Sequence, residues 1–275
     1  MKTLIPFFVL ASLIIACSTS TNKDEEKEKV KKLDTLKVGG KAVEIPKERI
    51  DTILNLSDTT FVFPNYKLIV ETIDSVEVSD LYQDAKVRES IFNQYDNYYE
   101  AGKALEKYLA KTAEAKYFKR EDRNLILPLD NGEAKILTNR NKGNDNDIAY
   151  CYQHFFSNIN SYLLRIHYYE GVAFLLVNKA NGEEVYTIGE TYISPSKQKV
   201  LAICEDLESG YNINGLEMLE IKDGKYKNKF IIQGGNWAPV ALKWIDDTSV
   251  VIKAKVIADE GTFETTTKFY KIKFE

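Results

Sequence analysis

Hydrophobic and polar positions follow different periods in different parts of this chain. From Ser79-Asp80 to about Lys119 there is no proline and one glycine, Gly102. Val87, Ile91, Tyr95, Tyr98, Leu105, Tyr108 and Leu109 recur there at steps near three and four, the stripe of an amphipathic helix. Arg88, Glu89, Asn93, Glu100, Lys103 and Lys107 fall opposite, and Ser79-Asp80 offers an N-cap. Such a helix either docks a partner or covers the protein's own sheet, and covering the sheet is the expectation here. Before it, Lys67 to Glu71, centred on Leu68-Ile69-Val70, is strand-like. Leu33 to Tyr66 carries few strong signals.

After Arg123 the period shortens to two. Leu125 to Leu129 and Ala134 to Thr138 are joined by Asp130-Asn131-Gly132-Glu133. Asn-Gly between two β-prone runs signals a hairpin, because a type I′ turn needs positive φ at both central residues. The device returns. Val172 to Asn178 and Glu184 to Ile188 flank Ala180-Asn181-Gly182, and Leu216 to Ile221 and Tyr226 to Ile232 flank Asp223-Gly224. Val240 to Ile245 and Ser249 to Ile257 flank Asp246-Asp247, and Phe263 to Phe274 closes the chain. Strands separated by turns, with no helices between them, describe an antiparallel meander.

The first residues read differently. Lys2 precedes an apolar run, Leu4 to Ile15, too short to span a bilayer as a mature helix. Charge, apolar core and a small residue before the break are the parts of a secretory signal. Ile14-Ile15-Ala16-Cys17 resembles the lipobox of bacterial lipoproteins. That resemblance implies cleavage before Cys17 and lipid on its thiol, hence a membrane contact at the cell envelope, expected at the outer membrane. Ser18 to Lys32 has one large apolar residue, Val30, among dense mixed charge. It buries too little to offset its ordering entropy and is expected to be a disordered tether. Within it, Asn22-Lys23-Asp24-Glu25-Glu26 resembles the acidic export signals of bacterial surface lipoproteins; a solvated spacer is the alternative.

Composition narrows the classes. Hydrophobic residues are 44% and charged residues 28%, ordinary for a chain with a real core. Signal removal takes away one of the 37 basic residues, Lys2, and none of the 41 acidic ones, so net charge moves from −4 to −5. There is no basic surplus to neutralise phosphates, so nucleic acid is not an expected partner. Cys151 and Cys204 remain once Cys17 is assigned. Both stand in apolar surroundings and read as buried thiols, with a disulfide as the alternative in an oxidising compartment.

Two pieces of the meander resemble blades of β-propellers. Ile193-Ser194-Pro195-Ser196-Lys197-Gln198-Lys199-Val200-Leu201-Ala202 is similar to a strand–turn–strand centred on Ser-Pro-Asp-Gly-Lys, with Ser196 and Lys197 in place of Asp and Gly. Lys243-Trp244-Ile245-Asp246-Asp247-Thr248-Ser249-Val250 is similar to the Trp-x-Asp-Asp-x-Thr start of a blade. About 150 residues of β pattern at roughly 40–45 per blade give about three, below the number that closes a ring. The fold expected is mainly β: an antiparallel meander forming an open sheet, sandwich or partial propeller-like array. Its parts are a signal (1–16), a tether (17–32), a helix-containing segment (33–122) and the β region (123–275).

Candidate chemistry is sparse. The two histidines, His154 and His167, form no zincin pair, and no nucleophile elbow, phosphate loop or dinucleotide fingerprint occurs. His154 follows Cys151 by three residues, but a metal site would need Cys204 and a fourth ligand. His167 is expected to find a hydrogen bond or meet solvent. Asn141 to Asp147 is rich in oxygen ligands without EF-hand spacing. No metal and no cofactor is expected.

The most unusual loop is Glu205 to Gly215, with three carboxylates, an aromatic tip and glycines. Asp206, Glu208, Ser209, Gly210 and Tyr211 are its candidate ligand- or partner-binding residues. Ser209-Gly210-Tyr211 resembles the loop that periplasmic lysozyme inhibitors insert into a lysozyme cleft. A plain hairpin loop is the structural alternative. The 17 tyrosines, clustered around Tyr98-Tyr99, Tyr150, Tyr152, Tyr162 and Tyr168-Tyr169, suit strands and can also line a glycan or peptide groove. The leading functional expectation is a non-enzymatic binding or assembly module with a protein or glycan partner. The alternatives are an inhibitor of lysozyme-type hydrolases and a glycan-active enzyme using carboxylates near Asp206.

Overall fold

The computed structural model describes residues 36–38, 41–43, 50–76, 78, 82–140, 147–168, 171–258 and 264–275, with 36–38, 41–43 and 50–52 described as backbone only. The signal, Cys17, the tether, the Ser79-Asp80 cap and 141–146 lie outside these residues.

The described residues begin with a small hairpin, β1 (Leu36–Val38) and β2 (Lys41–Val43), then β3 (Ile50–Leu54), β4 (Thr59–Val62) and β5 (Lys67–Ile73). Two helices follow, α1 (Ala85–Phe92) and α2 (Tyr98–Leu109). The single helix expected from the stripe is broken between them. Asn93-Gln94-Tyr95-Asp96-Asn97 holds side chains that compete for backbone hydrogen bonds. Asn97 turns extended, and its side chain accepts the Tyr99 N–H at 2.7 Å, capping α2.

The break changes the phase of the stripe. Ala101, Leu105 and Leu109 are buried, whereas Val87, Tyr95 and Tyr98 are exposed. Arg88, expected on the polar face, is buried instead. It donates to Asp84 Oδ1 at 2.6 Å and to the Gln153 carbonyl at 3.1 Å, and stands over the Tyr82 ring.

The remainder is β structure. After a 3-10 turn at Ala113–Tyr117 come β6 (Lys119–Glu121), β7 (Asn124–Pro128) and β8 (Ala134–Thr138), the first sheet. Next are β9 (Ile148–Phe156), β10 (Ser161–Tyr168), β11 (Val172–Asn178) and β12 (Glu184–Thr187), the second sheet. The third holds β13 (Glu190–Ile193), β14 (Lys199–Cys204), β15 (Gly215–Lys222) and β16 (Lys225–Gly234). The fourth holds β17 (Trp237–Asp246), β18 (Ser249–Ile257) and β19 (Thr265–Phe274). Early strands complete the last two sheets: β3 pairs parallel to β16, and β5 pairs antiparallel to β19 with β4 at the edge.

Three apolar clusters hold the sheets together in series. The first sheet and α2 meet the second sheet through Leu105, Leu125, Tyr152, Leu164 and Leu175. The second meets the third through Leu163, Leu176, Val200 and Leu219. The third meets the fourth through Leu201, Phe230, Trp237, Ile252 and Ile272. Each fully buried side chain of this size contributes about 1.5–3 kcal/mol. The fold is mainly β, with several antiparallel sheets in an open rather than closed arrangement and, among the described residues, two α-helices.

The turns obey their residues, with one refinement. Only Asp223-Gly224 takes positive φ at both positions, 54° and 71°. At the other two Asn-Gly sites glycine alone is left-handed (Gly132 84°, Gly182 73°). There the asparagine side chain accepts a backbone N–H instead, Asn131 from Glu133 and Asn181 from Glu183, each at 3.0 Å. These loops are too long for a two-residue turn, so the side chain closes them.

Candidate functional site

The loop after β14 is organised by one carboxylate. Asp206 is 9% exposed and accepts five hydrogen bonds. They come from the Ser209 N–H and hydroxyl, the Gly210 N–H at 2.9 Å, and the Asn212 N–H and side-chain amide at 2.6 and 3.0 Å. Burial alone would raise the Asp206 pKa, but the bonds from Ser209, Asn212 and Gly210 outweigh it and hold the carboxyl below its ordinary value. Asp206 is therefore an anion spent on its own loop, an unsuitable proton donor. Gly210 is left-handed, φ 65°.

The loop is fastened at both ends. Asn212 Oδ1 accepts the Val172 N–H at 3.3 Å, and the Asn214 amide donates to the Trp237 carbonyl at 2.8 Å. At Gly215 the chain passes so close to β16 that a Cβ would stand 2.0 Å from the Ile232 carbonyl oxygen. Glu208, Ser209, Gly210 and Tyr211 remain exposed.

This loop forms one wall of a cavity of about 1040 Å³. Asp206, Glu208, Ser209 and Tyr211 line it, and Gly210 lies within the same turn. Tyr98 and Tyr99 of α2 line it as well. The strands supply Arg165 and His167 from β10, Phe174 from β11, Glu190 from β13 and Cys204 from β14. The mouth carries two exposed aromatics, Tyr98 at 67% and Tyr211 at 58%.

Arg165 is the least expected member. Its guanidinium carbon lies 5.3, 5.1 and 5.6 Å from the ring centres of Phe92, Tyr98 and Phe174. Its Nε is sealed from solvent and has no hydrogen-bond acceptor among the described residues. Burial lowers its pKa, opposed chiefly by the charge of Glu190. Burial raises the Glu190 pKa, opposed by Arg165 and Arg88. Sequence reasoning missed this pair. The signal was present, a lone arginine in the apolar run Tyr162-Leu163-Leu164-Arg165-Ile166.

The histidines are engaged or enclosed. His154 Nδ1 lies 3.2 Å from Glu114 Oε1, and the Tyr152 hydroxyl and Phe155 N–H donate to Glu114 Oε2. Burial works to raise the Glu114 pKa, but the hydrogen bonds from His154 and Tyr152 prevail and lower it. His167 neither finds a partner for Nε2 nor stands in solvent; it is 8% exposed. Helix α2 comes down on it at Gly102, where a Cβ would be 3.0 Å from that nitrogen. Burial, with the Arg165 charge, depresses the His167 pKa to about 3.

Cys151 and Cys204 are free thiols, both pushed up to about 12, first by burial and then by neighbouring carboxylates. Such thiols stay protonated near neutrality. Among the described residues no group of three His, Cys, Asp or Glu side chains is arranged to hold a metal. Of the oxygen-rich loop at 141–147 only Asp147 is described, and it lines the cavity. No protein-family model matches the chain, and no curated protein matches it. Among the described residues no helix is long and apolar enough to cross a membrane.

Proposed function

We propose that this chain is a lipid-anchored, non-enzymatic binding or assembly module of the bacterial cell envelope. Lipid on Cys17 holds it to the membrane, expected to be the outer membrane, and the cavity beside the Asp206 loop receives its ligand. The observation that carries this reading is the cavity of about 1040 Å³, which combines exposed aromatics with a half-buried arginine held by rings rather than by a carboxylate. Ligand sites are typically concave, mostly apolar and equipped with a few convergent polar groups.

The test has two arms. Capture of the intact lipoprotein from envelope membranes should recover a protein or glycan partner reproducibly. Cys17→Ser should move the protein to the soluble fraction, because one signal binds marginally and two or more acyl chains anchor stably. Membrane retention of Cys17→Ser with unchanged mobility would reject the anchor.

A second reading, inhibition of lysozyme-type hydrolases, is supported by one observation. Tyr211 is exposed at the tip of a loop that Asp206 holds rigid. Aromatic anchors dominate interface hot spots, so Tyr211→Ala should weaken inhibition by about 2 kcal/mol or more. A panel of c-, g- and i-type lysozymes at micromolar protein decides it; no inhibition of any removes this reading.

A further inference from the structure

Arg165 raises a chemical question. Arginines that are withdrawn from water normally meet a carboxylate or several carbonyls. This one is held by three rings, with Nε sealed and unpaired. Cation–π contact with the rings holds the guanidinium in place without supplying an anion. The result is a pre-positioned guanidinium on the cavity wall; with Nε closed off, its two Nη groups are the donors that match an oxyanion in bidentate fashion.

The surrounding charges select among oxyanions. Glu190, Glu205, Asp206, Glu208 and Asp147 line the same cavity, against Arg140, Arg165 and Lys255. Lys255 is already 3.2 Å from Glu205. A dianionic phosphate would meet this acidic excess, whereas a monoanion needs only Arg165. Glu190, on the neighbouring wall, requires a ligand that also brings an N–H donor. A carboxylate with an amide N–H close behind it is the end of a peptide. Arg165 and Glu190 feel each other's charge without an ion-pair contact; a neutral sugar would bring Arg165 no anion to bond, and polar groups left unpaired against a ligand disfavour it.

We propose that the cavity captures the free carboxylate end of a short peptide, with Arg165 holding the carboxylate, Glu190 accepting a peptide N–H, and Tyr98 and Tyr211 covering the side chains at the mouth. This rests on the reading of the cavity as the ligand site. The volume, about 1040 Å³, stands at the upper end of small-ligand pockets, roughly 300–1,000 Å³, so more than one residue of the peptide enters. Tyrosine at the mouth offers apolar area with a polar tip, suited to side chains of mixed character.

The experiment is calorimetric titration of the detergent-solubilised full chain with three probes. The first is a set of N-acetylated tripeptides of alanine, phenylalanine and tyrosine with a free carboxylate. The second is the same set as carboxy-terminal amides. The third is the tetramer of N-acetylglucosamine. Free-acid peptides should bind about tenfold or more tightly than their amides, the scale of a charge-assisted hydrogen bond. Arg165→Met should weaken the acids to the level of the amides and leave the amides unchanged, and Arg165→Lys should fall between.

Equal binding of acids and amides by the wild-type chain overturns the proposal, and this comparison stands even if Arg165→Met does not fold. Binding of the saccharide with no peptide bound also overturns it, while the binding-module reading survives. No binding of any probe overturns it as well. If membrane capture then recovers no partner, the binding-module reading falls with it.

Discussion

Asp247 Oδ1 accepts the backbone N–H of Ser196 at 2.7 Å, tying the turn between β17 and β18 to the turn between β13 and β14. Lys199 Nζ reaches the Asp247 carbonyl at 2.8 Å, and the Trp244 indole donates to the Tyr192 carbonyl at 3.1 Å. The two blade-like pieces of sequence thus meet at one edge of the third and fourth sheets. Asp247→Ala should lower stability by about 1 kcal/mol, the net worth of one hydrogen bond. Urea unfolding of the variant beside wild type measures it; an unchanged midpoint would show the clasp to be idle.

Lys197, in the same turn, has φ 65°, where the blade motif carries glycine. A left-handed conformation costs a side chain about 1–2 kcal/mol, and glycine loses roughly 0.5–1 kcal/mol of backbone entropy. Lys197→Gly should therefore stabilise slightly, by up to about 1 kcal/mol. A small rise in melting temperature is the expected result, and a fall would contradict it.

Glu106 and Arg120 form a bidentate ion pair beneath α2. Glu106 accepts from Arg120 Nε and Nη2 at 2.7 Å each and from the Tyr152 N–H at 2.9 Å. Glu106→Ala takes both carboxylate oxygens from a half-buried guanidinium, which keeps only the Tyr150 carbonyl, and leaves the buried Tyr152 N–H without an acceptor; it should cost about 3 kcal/mol or more. Glu106→Leu combined with Arg120→Met should cost less than the single change, because no charge is stranded. Denaturant melts of the three variants compare the two.

His167 should make stability depend on pH. Its folded pKa, about 3, lies below the ordinary value of about 6.5. Below that ordinary value the unfolded chain takes up a proton that the folded chain refuses. The stabilisation is therefore complete above about pH 6.5 and is lost as pH falls towards about 3, at up to about 1.4 kcal/mol per pH unit. The groups around it are Arg165 on its own strand, Cys151 on β9 and the Tyr99 ring on α2, and the Cys151 thiol, pushed up to about 12, stays protonated throughout that window. His167→Gln should flatten the slope between pH 4 and 6.5, read from urea midpoints at each pH.

Asp206→Ala should release the loop without unfolding the sheets. The Ser209, Gly210 and Asn212 amides lose their acceptor, and their hydrogen exchange should quicken by about tenfold or more. Amides of β10 and β15 should keep their protection. Exchange measured by mass spectrometry on loop peptides distinguishes this from a general loss of stability.

Sequence alone determined the strands and their turns, because both depend on neighbours a few positions away. Alternation marked the strand faces, and Asn131-Gly132, Asn181-Gly182 and Asp223-Gly224 marked the hairpins. The Ser194-Pro195-Ser196-Lys197 turn formed with lysine at the left-handed position. The loop at Asp206 was also visible, as an accumulation of carboxylates and glycines. Tertiary structure decided the rest. Only long-range pairing could bring β3 to β16 and β5 to β19, since β3 and β4 are short and lack alternation strong enough to stand out. The helix broke at Asn97 through a side-chain cap that competes with periodicity. The fates of Arg88, Arg165, Glu190 and His167 were decided by which strands and helices closed over them. A charge in an apolar strand is legible as an anomaly; whether it meets water, a ring or a partner depends on surfaces that only the packed sheets bring together.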